Sequence, residues 1–495
     1  MSKANLSLKQ TQTPASPGKS RWQIVTALGL AALFGGLLSG CDSTGVLVTP
    51  TQVSSAGADY AITSVTVIDA INGTRTNQTV LVRGDRIESV QSDAVAFTAS
   101  KTISGEGKYL IPGLWDMHVH ITYEPEITEA MPELFLKYGI TSVRDTGGLL
   151  QNLLPEIKRW RAPGARAPRI FFSGPLLDGS TVVYDGGIVP EIGTANVSPE
   201  MAVANIERLK ASGVDFVKTY ELITPEVFKA LTGAARKAGL PIASHVPLMM
   251  AAREAGPLVD SMEHLRNIEL DCAANAEELL AIRQSAIANP DGAPGIKLRG
   301  GIHADQRPKA IGNYSQAACD KVIASLANTI QVPTLRLNTS ALYQPYDRPD
   351  WQQAVAELPT ASQQKWLNTA REWSEKRASL PTQDGEFSLS LVGQLYAAGV
   401  PLGAGTDTPI GSALPGYSLH TELERLVEAG LSPLAALEAA TIAPARFVRK
   451  EDEMGQIKQG FVADLVLLDE DPLEAITNTR TIRQVISKGT PVLQN

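Results

Sequence analysis

Short apolar segments recur through the middle of the chain, and most are followed by a stretch with helical spacing. Patterns such as SPEMAVANIERLKASG place apolar residues about 3.6 apart and end in glycine. Eight strand–helix units predict an α/β protein built on a (β/α)8 TIM-like barrel. The eight predicted strands are GLWDMHVHI, GITSVRDTGG, PRIFFSGPLL, GVDFVKTYEL, LPIASHVP, VDSMEHLRN, IQVPTLRLN and VPLGAGTDTP.

Both flanks of this region have the pattern of sheets instead. YAITSVTVIDA, QTVLVRGDRIESV and TISGEGKYLI precede it, and GQIKQGFVADLVLLDEDP and IRQVISKGTPV follow it. We expect residues 59–110 and 449–495 to form one small β-sandwich domain beside a barrel of residues 111–448. Residues 339–390 hold more helix than one crossover needs, which indicates an insertion near the barrel mouth.

The first forty residues have the features of an export signal. Lys19 and Arg21 precede the apolar stretch IVTALGLAALFGGLL, which is short for a membrane span and typical of a signal-peptide core. It ends in LSGC, which resembles the bacterial lipobox and implies cleavage before Cys41 and lipid attachment there. We therefore expect a signal peptide (1–40), a polar tether (41–58) and a lipid-anchored protein of the bacterial cell envelope that faces the periplasm. A plain secretory signal and an uncleaved anchor are the alternatives.

The net charge bears on the class of partner, and the cysteine content bears on a possible disulfide. After residue 40 the chain carries 40 basic and 52 acidic residues, a net charge of −12. This balance, without a basic stripe, argues against a nucleic-acid partner. Cys272 and Cys319 are the cysteines after Cys41, and an exported compartment permits a disulfide between them as well as two free thiols.

Four of the six histidines lie at the ends of predicted barrel strands. His118 and His120 are two apart on one strand and so point to the same face, where they could share a metal ion or simply hydrogen-bond within the core. Barrel enzymes build their active sites at the carboxyl ends of the strands. The polar residues that the pattern brings to that end are His118, His120, Lys218, His245, His264 and Asp407.

In this ordered set of motifs the chain resembles the amidohydrolase superfamily, in its imidazolonepropionase-like and carboxylysine-containing dipeptidase-like branch. The motifs are PGLWDMHVH, DFVKTY, SHV, EHL, GTDT and the closing GQIKQGFVADLVLLDEDP. The resemblance implies two divalent ions, with zinc as the first expectation. It implies His118, His120 and Asp407 as ligands of the first ion and His245 and His264 as ligands of the second. Lys218 matches the lysine that is carbamylated and bridges both ions.

The chemistry implied is hydrolysis of a carbon–nitrogen bond by a metal-bridging hydroxide, with Asp407 as the general acid and base. An ammonium between two cations would be repelled, whereas a carbamate on Lys218 is an anion with two oxygens. Tyr220 shares the face of Lys218 and either donates to the oxyanion or packs at the rim. His420 lies either near the substrate, as in relatives, or at a helix start on the surface. Arg144 and Asp145 are expected to brace the second strand.

The expected substrate is a small molecule such as a dipeptide, an N-acyl amino acid or a cyclic amide. A lactonase or phosphotriesterase could use the same pair of ions, and a non-catalytic scaffold is a third reading. The bridging lysine disfavours deamination, which in this superfamily usually uses one ion. A homo-oligomer is compatible with the sequence.

Overall fold

The computed structural model describes residues 57–288 and 292–494, which lie within one compact unit of mixed α/β structure. In these ranges the strands are β1 (Ala58–Asp69), β2 (Gly73–Arg83), β3 (Arg86–Ser92), β4 (Ala99–Ser104), β5 (Tyr109–Pro112), β6 (Leu114–Val119), β7 (Ile140–Asp145), β8 (Arg169–Phe172), β9 (Leu176–Asp178), β10 (Gly193–Ala195), β11 (Val217–Thr219), β12 (Ile242–Ser244), β13 (Ser261–Glu263), β14 (Ile330–Val332), β15 (Leu465–Leu468), β16 (Ile482–Ser487) and β17 (Thr490–Gln494).

The helices of the described residues are α1 (Pro125–Thr128), α2 (Met131–Lys137), α3 (Leu150–Trp160), α4 (Pro199–Ala211), α5 (Pro225–Lys237), α6 (Ala252–Ala255), α7 (Ile268–Asp271), α8 (Ala276–Ala288), α9 (Gly295–Gly312), α10 (Gln316–Ser325), α11 (Leu335–Asn338), α12 (Trp351–Val355), α13 (Thr360–Lys376), α14 (Gln383–Ala397), α15 (Tyr417–Glu428), α16 (Pro433–Ala439) and α17 (Ile442–Phe447). Short 3-10 helices cover Gly256–Leu258, Pro345–Asp347, Arg377–Ser379 and Ile476–Arg480.

The two ends of the described chain meet in one sheet, as their sequence patterns predict. Strands β1–β5 and β15–β17 form an eight-stranded mixed sheet, and the join between the two ends is the antiparallel pairing of β5 with β15, for example Leu110 opposite Leu467. QTVLVRGDRIESV, predicted as one stretch of sheet, turns at Gly84 and Asp85 and gives the antiparallel pair β2 and β3. The pattern of TISGEGKYLI likewise covers two strands, β4 and β5.

The short apolar segments form parallel strands that, apart from β10, follow one another within each sheet in the order of the sequence. β6, β7 and β8 form one parallel sheet, and β10, β9, β11, β12, β13 and β14 form another in that order. Strands β11–β14 are only three residues long and fully buried, as expected for parallel strands covered on both faces. Their carboxyl ends therefore lie side by side.

The eighth predicted strand, VPLGAGTDTP, makes only two isolated bridges. Leu402 pairs with Gln331 of β14, and Thr408 pairs with Val119 of β6, both in parallel. A Cβ on Gly403 would lie 2.4 Å from Sδ of Met117, and one on Gly405 would lie 2.9 Å from Cβ of His118. The glycines let this segment pack closely on β6, and backbone hydrogen bonds such as that from the N–H of Asp407 to the carbonyl of His118 at 2.7 Å join the two.

Hydroxyl side chains cap the starts of the crossover helices α4 and α5. Ser198 caps α4 by accepting a hydrogen bond from the backbone N–H of Met201, and Thr224 caps α5 in the same way with Val227. Each cap precedes a proline at the first helical position, which favours this start. Their buried apolar faces pack on the parallel strands and form the largest cluster of the described core.

Two long excursions add helices beyond a single crossover per strand. Residues 339–390 hold α12, α13 and the start of α14, as the sequence predicts, whereas α8 and α9 between β13 and β14 are an excursion that the sequence analysis did not single out. A disulfide joins Cys272 to Cys319 and links the end of α7 to α10. The open question about these two thiols is thus resolved in favour of the bond.

Among the helices in residues 57–288 and 292–494, none combines the length and apolar character needed to cross a bilayer. The predicted signal peptide (1–40), the lipidation site Cys41 and nearly all of the predicted tether lie outside the described residues.

Candidate metal centre

A cavity of about 380 Å³ opens where the carboxyl ends of the parallel strands meet. It brings together the residues that the sequence singled out on five separate strand segments. Those that line it are His118, His120, Lys218, Tyr220, His245, His264 and Asp407.

His118 and His120 converge on one carboxylate oxygen. Nε2 of His118 lies 3.2 Å and Nε2 of His120 lies 3.3 Å from Oδ1 of Asp407. His264 joins them, with its ring centroid 4.5 Å from that of His118. Ligand atoms of His118, His264 and Asp407 all lie within 4.8 Å of one another, a spacing that one metal ion could bridge. This triad combines members of both ligand sets implied by the sequence.

His245 completes the group from β12. Its ring centroid lies 4.7 Å from that of His264 and 4.4 Å from that of Tyr220. His264 and Asp407 both adopt left-handed backbone conformations, with φ of 63°. Such conformations are uncommon for residues other than glycine and often occur at functional sites.

Lys218 lines the same cavity as these imidazoles and Asp407. The side chain is 1% exposed, and its Nζ has no hydrogen-bond partner among the described residues. Burial lowers the pKa of Lys218 to about 8. A buried amine without a partner is costly, so its position among four imidazoles and a carboxylate fits a group that is modified or bound when the site is complete.

The imidazoles are oriented by partners on their outer nitrogen. Nδ1 of His118 lies 2.7 Å from Oε2 of Glu263, and Nδ1 of His245 lies 2.6 Å from Oε1 of Glu221. Nδ1 of His120 donates to the carbonyl of Gly147 at 2.9 Å. A carboxylate or carbonyl accepts only, so Nδ1 carries a proton in each of these pairs and Nε2 is the nitrogen left to bind a metal.

His264 follows the same rule through a hydroxyl. Its Nδ1 lies 2.7 Å from Oγ1 of Thr334, which donates its own proton to the carbonyl of Pro333 at 2.8 Å. The hydroxyl therefore accepts from His264. All four Nε2 atoms are thus left to bind a metal, and imidazoles with a carboxylate make a donor set suited to zinc and similar divalent ions.

The amidohydrolase family model matches residues 348–493 of this chain. This range includes Asp407 and none of the other proposed ligands. Ochratoxinase from Aspergillus niger is 41% identical over 81 residues, 16% of this chain and 16% of that protein. Adenine deaminase from Escherichia coli is 30% identical over 88 residues, 18% of this chain and 15% of that protein. The matches thus span less than a fifth of these curated relatives.

Solved structures resemble the chain over most of its length. A Xaa-Pro dipeptidase with bound methionine has a TM-score of 0.62 at 19% identity and covers 88% of this chain and 100% of its own. The ochratoxinase of A. niger has a TM-score of 0.60 at 18% identity, covering 89% and 96%. Molinate hydrolase has a TM-score of 0.60 at 21% identity, covering 88% and 95%. The chain has an amidohydrolase-type fold.

Three charged residues that the sequence analysis missed stabilise the centre of this amidohydrolase-type fold. Glu263 contacts His118 and also accepts from Arg144 at 2.7 Å. Burial by itself raises the pKa of Glu263, but Arg144 and Lys218 outweigh it and hold that pKa well below its usual value. Asp116 accepts from the backbone N–H of Thr406 at 2.9 Å and so ties β6 to the segment that carries Asp407.

Glu221 is the third of these residues, and it joins the centre to helix α9. Besides His245, it contacts Nε2 of His303 at 2.5 Å and Nη2 of Arg299 at 2.9 Å. Burial by itself would raise the pKa of Glu221, but Arg299 and His303 outweigh it and hold that pKa well below its usual value. One residue after Tyr220, Glu221 lies beyond the end of β11, where strand alternation no longer predicts its direction.

Arg144 and Asp145, which were predicted to brace the second strand, both make hydrogen bonds to neighbouring segments. Arg144 donates to the carbonyl of Met117 and to Glu263, and Asp145 accepts from the backbone N–H of Ile121 at 2.8 Å. Asp145 also accepts from the N–H of Gly147 at 3.1 Å, which positions the loop whose carbonyl orients His120.

His420 lies away from the cavity, in the interior of α15. Nδ1 contacts Oγ1 of Thr479 and Nε2 contacts the carbonyl of Tyr138, each at 2.9 Å. Burial lowers the pKa of His420 to about 3. The side chain is fully buried, so it is neither on the surface nor among the described residues that line the cavity.

Proposed function

We propose that this chain is a metal-dependent amidohydrolase that cleaves a C–N bond of a small substrate such as a dipeptide, an N-acyl amino acid or a cyclic amide. The observation that carries the proposal is the unpartnered Nζ of Lys218 in a cavity that is also lined by four imidazoles and Asp407. The amidohydrolase-type fold supports it, since related folds place their chemistry at this end of the strands. A closed (β/α)8 barrel with a small β-sandwich is the architecture that we propose for it.

The proposed ligands divide into two sets around Lys218. His118, His120 and Asp407 would hold one divalent ion, and His245 and His264 would hold the second, with zinc the expected metal. Carbamylated Lys218 would supply one oxygen to each. Bound there, the ions would polarise the scissile carbonyl and lower the pKa of a water molecule.

The residues of the chain supply proton transfer and orientation. A carboxylate oxygen of Asp407 takes the proton of the attacking water and delivers it to the leaving nitrogen, which otherwise departs as an unstable amide anion. The hydroxyl of Tyr220 donates to the oxygen that becomes negative. Burial raises the pKa of Tyr220 well above its usual value, so the phenol keeps this proton. Glu221 and Glu263 keep the imidazoles in position.

Metal removal tests the proposal directly. We expect exhaustive chelation to abolish hydrolysis of dipeptides or N-acyl amino acids, and zinc to restore it with two ions bound per chain. Metal analysis alongside a panel of dipeptides, N-acyl amino acids, cyclic amides, lactones and phosphotriesters measures both effects. Full activity in the chelated protein, or turnover confined to lactones or phosphotriesters, would contradict the proposed reaction.

We also propose that the chain is exported and anchored through lipid on Cys41. Cys41→Ser removes the sulfur that would carry the acyl chain, so we expect the variant to move from the membrane fraction to the soluble fraction. Ser39→Ala, two residues earlier, is a control for changes in the same segment and should remain membrane-bound. Fractionation with lipid labelling measures the outcome. A Cys41→Ser protein that is still processed and membrane-bound would refute the anchor.

A further inference from the structure

Three arginines line the same cavity as the proposed metal ligands. They are Arg266, which follows His264 by two residues, and Arg299 and Arg307, which lie on α9. They give the lining three guanidinium groups, against the carboxylates of Asp384 and Asp407. Bound divalent ions would increase this positive excess, so the cavity is built to receive negative charge.

Two of the arginines are fixed by acidic partners. Nη2 of Arg299 lies 2.9 Å from Glu221, and Arg307 contacts Glu269 and Asp384, each at 3.1 Å. These pairs hold α9 against the cavity and neutralise much of the charge of both guanidinium groups. They leave Arg266 as the arginine that needs a partner.

Arg266 makes no ion pair or hydrogen bond with any of the described residues. Its Nε is buried and has no acceptor, and the side chain borders the cavity. A buried guanidinium N–H without an acceptor is costly, and the planar fork of the group matches a carboxylate in geometry. An anion in the cavity would supply both the charge and the acceptor atoms that Arg266 lacks.

The arginines lie close to the proposed reaction centre. The guanidinium of Arg299 lies 5.7 Å from the ring centre of Tyr220, and that ring lies 4.4 Å from the ring of His245. In a dipeptide or an N-acyl amino acid, the carboxylate is attached to the carbon next to the scissile nitrogen. Leu176 and Ile192 also line the cavity and offer an apolar surface for a side chain.

We propose that Arg266 binds a free α-carboxylate on the leaving amino acid of the substrate, beside the ion-paired Arg299 and Arg307. This inference rests on the proposed amidohydrolase function and narrows it. Peptides and N-acyl amino acids with a free carboxylate are substrates, whereas carboxamides, lactones and neutral phosphotriesters are poor ones.

Matched substrates separate charge recognition from general damage. We expect the zinc-loaded wild type to hydrolyse N-acetyl-L-leucine with a kcat/KM about 100-fold above that for N-acetyl-L-leucinamide, the size of a charge-assisted contact. Arg266→Gln should remove this preference by lowering only the value for the acid. Arg266→Lys keeps the charge without the planar fork, so its preference for the acid should lie between that of the wild type and that of Arg266→Gln. Arg161→Gln, which removes an exposed arginine paired with Asp215, should leave the preference unchanged.

Binding to metal-free protein tests the carboxylate site independently of turnover. Calorimetry should show N-acetyl-L-leucine binding to the wild type and to Arg161→Gln, and much weaker binding to Arg266→Gln. If no amide is hydrolysed but this pattern holds, the proposed function fails and the anion site stands. Equal loss for acid and amide in both Arg266 variants, or a wild type that does not distinguish acid from amide in binding or turnover, would overturn the proposal.

Discussion

Replacing Lys218 with alanine is expected to reduce turnover to below about 1% of the wild type, since removing the proposed ligand of both proposed ions should exceed the roughly 10- to 100-fold effect of removing an outer partner. The metal content of the reconstituted variant should fall with it. Lys229→Ala removes an exposed lysine from α5, the helix that follows the same strand, and should change neither quantity.

Rescue by a small carboxylic acid distinguishes a bridging role from a structural one. Acetate or propionate with excess zinc should restore part of the turnover of Lys218→Ala, because a free carboxylate can occupy the place of the carbamate. Lys218→Glu should retain weak activity for the same reason, although its carboxylate lies nearer the backbone. A lysine needed only for folding would not respond to acid.

The proposed carbamylation of Lys218 has a mass signature. The lone pair of the neutral Nζ forms a bond to the carbon of carbon dioxide, one C–O π pair moves onto oxygen, and the nitrogen releases a proton to water. The wild type should therefore carry the extra mass of one carbon dioxide under conditions that preserve carbamates, and Lys218→Ala should not. An unmodified Lys218 in a salt bridge beside a single bound ion would contradict the bridge and favour a mononuclear enzyme.

The sequence predicted the position of the centre because strand ends are encoded locally. Alternation on a strand places His118 and His120 on one face, and parallel strands bring His245 and His264 to the same end. The short apolar segments and the helical spacing between them gave the order of elements without any long-range information.

The outer partners could not be predicted in this way, because they depend on contacts between distant parts of the chain. Glu221 meets His303 across 82 residues, and Glu263 meets His118 across 145. Nothing in the local pattern of α9 shows that it packs over the cavity. His420 shows the opposite case, because its place at a helix start looked functional while tertiary packing buries it against Tyr138 and Thr479.

Glu221 also explains why the α9 excursion matters to the centre. The same carboxylate orients a proposed metal ligand, His245, and anchors Arg299, which borders the proposed substrate. Its remaining oxygen contacts His303 on the same helix. The position of α9 and the orientation of His245 are thus linked through one buried residue.

Replacing Asp407 with asparagine is expected to lower kcat by about 10³-fold, within the range for losing a general acid and base, with a further loss from weaker metal binding. Asparagine keeps the shape of the side chain but can neither accept the water's proton nor carry the negative charge that faces His118 and His120. Alanine at His118 or His245 should also abolish turnover, with loss of metal.

The fold should survive this change, because the stability of barrels resides mainly in the packed interior and the opposite face, away from the cavity. Asp347→Asn is the matched control, since it makes the same substitution at an exposed carboxylate paired with Arg377. Turnover, bound metal and melting temperature measured on both variants separate the three effects. Because Asp407 alone among the proposed ligands can both bind metal and transfer a proton, an Asp407→Asn protein with bound metal and near-normal kcat would exclude it from the proton transfer.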